Sequence, residues 1–84
     1  MKNDPRDTAE WLRLTRKRLH LSQSDVSAIL TVELRGTWNQ GRLSEFENGH
    51  TVIPYHVLQV LVRYFNDVER LHSEGRHWTD VFPH

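Results

Sequence analysis

After Pro54 the chain sets Val57, Leu61, Tyr64, Val68 and Leu71 at alternating steps of four and three, with Leu58 and Phe65 widening the stripe. That spacing returns to one face of a 3.6-residue helix, which a strand's alternation does not produce. Pro54 suits a first helical position, so a long helix is expected from there, either unbroken to His72 or divided at Asn66-Asp67. So wide an apolar stripe must be covered by other helices, and it is broad enough to serve both a core and a second surface. In 84 residues this means one small domain, 1–84, with a modest core and little room for a catalytic cleft as well. The protein is therefore not expected to be an enzyme.

The covering helices have readable ends. Asp4-Pro5 opens the first in the manner of an N-cap followed by proline, with Asp7 favouring the positive end of the dipole or acting as the cap itself. Leu12, Thr15, Arg16 and Leu19 repeat at helical spacing, which makes Leu12 and Leu19 the inner face of a helix ending near His20. Trp11 and Leu14 lie outside that stripe and either form a second core layer or cover the tail or a partner chain. Ser22 caps the second helix, with Asp25 where a carboxylate reaches back, and Val26, Ile29 and Leu30 form its stripe. The segment from Thr31 to Trp38 reads as a partly helical extension ending at Gly36, or as a loop, since the β-branched Thr31-Val32 pair weakens the helix.

A third helix begins just before Gln40, capped by Asn39 with Trp38 and Leu43 as a hydrophobic staple, or by Thr37 with Gln40 completing a capping box. It ends at Asn48-Gly49, a strong C-cap signal. Residues 76–84, aromatic and short, read as a strap on the domain or on a neighbouring subunit. The expected fold is all-α, a compact bundle of four or five helices.

Charge and composition narrow the function. Cysteine is absent, so neither a disulfide framework nor a thiolate zinc site is available. Of the histidines only His72 and His77 are closely spaced, which does not make a metal site, and no cofactor or metal is expected. No apolar run approaches the ~20 residues of a membrane span, and the opening Met-Lys-Asn-Asp-Pro-Arg-Asp is too polar for a signal peptide, so a soluble cytoplasmic protein is expected. Eleven Lys and Arg balance eleven Asp and Glu, whereas phosphate binding draws on a basic surface. The balance hides a cluster at Arg13, Arg16, Lys17 and Arg18, with Arg35 and Arg42 further on.

The stretch Asn39 to Gly49 has two opposed faces. Leu43 and Phe46 point one way; Gln40, Gly41, Arg42, Ser44 and Glu45 crowd the other. A helix end carrying an amide, a glycine, a guanidinium and a carboxylate suits the edges of base pairs.

On Arg16, Leu19, Leu21-Ser22-Gln23, Val26, Ser27, Leu30, Asn39-Gln40, Leu43-Ser44, Phe46-Glu47-Asn48-Gly49 and Pro54, the span from Leu12 to Phe65 resembles the Cro/CI-like helix-turn-helix family of phage and bacterial regulators. The resemblance implies a lambda-repressor-like domain whose recognition helix, Gln40 to Asn48, enters the major groove of double-stranded DNA. It implies base contacts by Gln40, Gly41, Ser44 and Glu45, with Gln40 matched to adenine and Glu45 to a cytosine amino group. Gln23 matches a phosphate contact, and Arg42, Asn48 and His50 lie where phosphate is also near. Arg16 and Glu47 match an ion pair linking the first helix to the third.

This chain departs from the family in two places. The turn between the second and third helices lacks its usual Gly and carries about six extra residues, which can bring Arg35 to the adjacent backbone. Gly41 costs the helix ~1 kcal/mol relative to Ala and allows close backbone approach to a base or phosphate. A short reading helix implies a homodimer on a palindromic operator, joined through Tyr64, Val68, Leu71, Trp78 and Phe82. The alternative is an antitoxin or regulator that acts mainly by gripping a protein partner such as a toxin.

Overall fold

The computed structural model describes residues 5–75, which form α1 (Pro5–Arg18), α2 (Gln23–Glu33), α3 (Gln40–Glu47) and α4 (Tyr55–Ser73), with no strand among them. Asp4, the expected first cap, and the strap 76–84 with Trp78 and Phe82 lie outside the described residues. No helix among the described residues is long and apolar enough to cross a membrane.

Each helix ends for a local reason. At the end of α1, His20 takes the left-handed conformation at φ 59°, His20 N–H donates to the Lys17 carbonyl and Leu21 N–H to that of Arg16, both at 3.0 Å. This pair closes a Schellman motif, and histidine is among the few non-glycine residues that adopt the conformation readily. The capping box of α2 forms as expected: Asp25 N–H donates to Ser22 Oγ at 3.0 Å and Ser22 N–H to Asp25 Oδ2 at 2.9 Å.

The end of α2 differs from expectation. The helix stops at Glu33, not at Gly36, and Leu34 turns extended, with φ −126° and ψ 148°. Thr31, Val32 and Glu33 are exposed, so the inward face of α2 has run out by Leu30. The extended turn instead brings Leu34 back onto the core. Asn39 is then the cap of α3, its Oδ1 accepting from Arg42 N–H at 2.9 Å, rather than Thr37. Gly49, at φ 73°, ends α3; His50 N–H reaches the Glu45 carbonyl at 3.0 Å, a second Schellman closure. Pro54 sits one residue earlier than expected, at the N-cap of α4, and α4 runs unbroken through Asn66-Asp67.

The core joins Leu12 of α1, Leu19 in the turn after it, Val26, Ile29 and Leu30 of α2, and Leu43 and Phe46 of α3 to the α4 stripe. Trp11 supplies the second layer, its ring edge-on to Phe65 with centroids 5.7 Å apart. All of the α4 stripe but Leu58 is buried, which corrects the expected dimer interface at Tyr64, Val68 and Leu71. Tyr64, Val68 and Leu71 are 3%, 0% and 3% exposed, so they have no surface to offer a partner. Burial first, and the Asp25 carboxylate second, push the Tyr64 hydroxyl pKa above its ordinary value. The exposed large apolar residues of α4 are Tyr55 and Val62, one face round, with half-buried Leu58 between them.

Candidate nucleic-acid interface

Helix α3 lies across α1 and α2, and one carboxylate fixes it to both. Glu47 accepts from Arg16 Nε at 2.6 Å and from Arg16 Nη2 at 2.9 Å, a bidentate pair. Arg16 Nη1 also donates to the Leu21 carbonyl at 2.8 Å, and Gln23 Nε2 donates to Glu47 Oε1 at 3.2 Å. The Arg16 and Glu47 side chains are only 12% and 4% exposed, so the pair is shielded from water and salt. This network turns Leu43, Phe46 and Glu47 inward and leaves the other face of α3 in solvent.

Gln40, Gly41 and Glu45 stand exposed together on that face. Glu45 Oε2 accepts a long bond from Thr51 Oγ1 at 3.4 Å. Ser44 is half-buried, and its Oγ accepts from Asn48 Nδ2 at 3.3 Å, so its hydroxyl is turned along the helix. Asn48 and His50 are exposed at the far end. Gly41 has a local reason that the sequence did not give: a Cβ there would lie 3.2 Å from the Asn39 capping oxygen. Glycine therefore leaves room for the cap as well as for any ligand.

Gln23 is half-buried at the start of α2, and its bond to Glu47 uses one of its two amide hydrogens. The basic cluster on α1 does not act as one patch. Arg16 is taken into the interior, and Arg18 faces Glu69 at 3.4 Å on the surface.

Arg42 is more committed than its charge implied. Its guanidinium carbon lies 3.9 Å from the centre of the Trp38 ring, and Nη1 donates to the Thr37 carbonyl at 2.5 Å. The Trp38 ring in turn packs on Phe46, centroids 6.3 Å apart. Sequence reading missed this stack, although the spacing of an aromatic and an arginine across the Asn39 cap is its signal. Arg35, in the connector 34–39, is exposed and makes no hydrogen bond or ion pair to the described residues. Comparison with protein-family models, with curated proteins and with solved structures finds no match.

Proposed function

We propose that the protein is a sequence-specific regulator of transcription, a repressor acting in the cytoplasm, that lays α3 in the major groove of double-stranded DNA. One observation carries this reading: α3 is bolted to α1 and α2 through Glu47 while Gln40, Gly41 and Glu45 stay in solvent beside the start of α2. A rigid exposed helix end with amide and carboxylate groups has the donors and acceptors that base edges require. Gln40 and Glu45 are assigned to bases, Gly41 to close backbone approach, and Gln23, Asn48 and His50 to phosphates. With zero formal net charge, non-specific attraction is expected to be weak and discrimination to come from α3.

Selection of bound sites from random duplexes at two salt concentrations tests this reading, and enrichment of no sequence at either concentration removes it. On a selected site, Gln40→Ala is expected to relax discrimination at one base pair by ~1–3 kcal/mol, and Gln23→Ala to weaken all sites alike. A uniform loss from Gln40→Ala would end its assignment.

The dimer is assigned to the outer face of α4. Tyr55 and Val62 are 74% and 42% exposed there. Val62 also lines a groove of about 470 Å³, together with Trp11, Leu58 and Phe65. An apolar ridge beside an apolar groove can meet its own two-fold copy. Val62→Glu is expected to leave a folded monomer with weakened binding to a palindrome. Sedimentation that finds the same mass for wild type and variant, with and without DNA, would remove this interface.

A further inference from the structure

We infer that the connector 34–39 is a second contact element for duplex DNA, held in shape by Arg42 and presenting Arg35 to a phosphate beside the base pairs that α3 faces. The inference rests on the DNA-binding reading above and goes beyond it in giving Arg42 and Arg35 different tasks.

A connector of this length without a glycine turn at its start would ordinarily be a mobile surface loop. Here it is tied at both sides. On the α2 side, Thr31 Oγ1 lies 2.9 Å from the Ser27 carbonyl and 3.4 Å from the Trp38 carbonyl, so one hydroxyl serves both as a shared donor. On the α3 side, the Arg42 guanidinium lies over the Trp38 ring, and its Nη1 donates to the Thr37 carbonyl. Trp38 is anchored beneath by Phe46 and the core. Its buried Nε1 has no hydrogen-bond partner among the described residues, so the ring face, not the N–H, holds it in place.

A guanidinium stacked and bonded in this way is spent on the fold of the connector. Arg35 is in the opposite condition: exposed, and the one charged residue of the connector. Gly36, at φ 116°, turns the chain immediately after it. The nearest acid in sequence, Glu33, is drawn aside by Arg63 at 2.7 Å, which leaves Arg35 free to meet an anion. A preformed connector places that cation without ordering a loop at the moment of binding. Arg42 is thus a positioning residue and Arg35 the contact.

The two tasks separate in a double-mutant cycle on a selected duplex, titrated over a range of salt. Arg35→Ala is expected to reduce the slope of log K against log salt by about one and to leave base discrimination unchanged. Arg42→Lys keeps the charge but loses the planar fork, and it is expected to lose the same slope. The double variant should lose no more than either alone, because the connector and its contact fail together. Thermal unfolding of each variant checks that it is folded, and should Arg42→Lys unfold, Thr31→Val cuts the other tether and takes its place with the same expected coupling. If Arg42→Lys binds like wild type, or the two losses add, Arg42 contacts phosphate independently and the inference is overturned. If wild type has no affinity for any duplex, the DNA-binding reading falls and this one with it, whereas affinity with additive losses removes this one alone.

Discussion

Glu47→Ala is expected to lower the unfolding free energy by about 3–5 kcal/mol, because it strands the Arg16 guanidinium in a site closed to water. Arg16 is 12% exposed, and its remaining bond, to the Leu21 carbonyl, cannot neutralise it. Gln23 loses its acceptor in the same change. In a domain of this size each kcal/mol moves the unfolding midpoint by about 4–8 °C, so the midpoint should fall by tens of degrees. The pair Arg16→Met with Glu47→Leu should recover most of that loss, since well-packed apolar groups often replace a buried ion pair without penalty. Calorimetry on the two singles and the double checks the argument. A fall of under about 1 kcal/mol for Glu47→Ala would show that water reaches the pair, as it does in surface ion pairs.

Leu43→Ala is expected to cost a further large amount, about 2–5 kcal/mol, through lost burial and the cavity left behind. Leu43 is 1% exposed and is the residue by which the middle of α3 enters the core. Its neighbour Gln40, on the same helix but in solvent, should change stability by no more than about 0.5 kcal/mol when truncated to Ala. Denaturant unfolding of the two variants separates the faces of α3: one sets whether the helix is docked, the other what it meets. Equal stability for the two would mean that Leu43 is not part of the packed interior.

Features governed by neighbours in sequence were legible. The Ser22 box, the Asn39 cap and the Asn48-Gly49 stop each depend on residues within about one turn, so a short-range rule finds them. The Arg16 and Glu47 pair came from the family resemblance, not from spacing, because the two are far apart in the chain. Two readings went astray where tertiary packing decided the outcome. Gly36 looked like a helix stop, but α2 ends three residues earlier, at Glu33, its inward face having run out at Leu30. Periodicity identified the α4 stripe without saying which way it faced, so Tyr64, Val68 and Leu71 were offered to a partner although the core takes them. Arg42 was read by its charge alone, and its stack on Trp38 exists only because the chain turns at Asn39. Gln40, Gly41 and Glu45 were legible as a face because helical geometry alone sets which side chains share a side.

Glu47 gathers side chains from 31 and 24 positions away, and α3 itself is only eight residues long. So short a helix has almost no persistence in water by itself. It has no half-released state in which it is helical but undocked, since leaving the bundle means breaking three charge-assisted bonds and unwinding together. The face bearing Gln40 and Gly41 consequently behaves as part of the rigid body, and its opening belongs to the slow, global motions of the chain rather than to the quick fraying of a surface element.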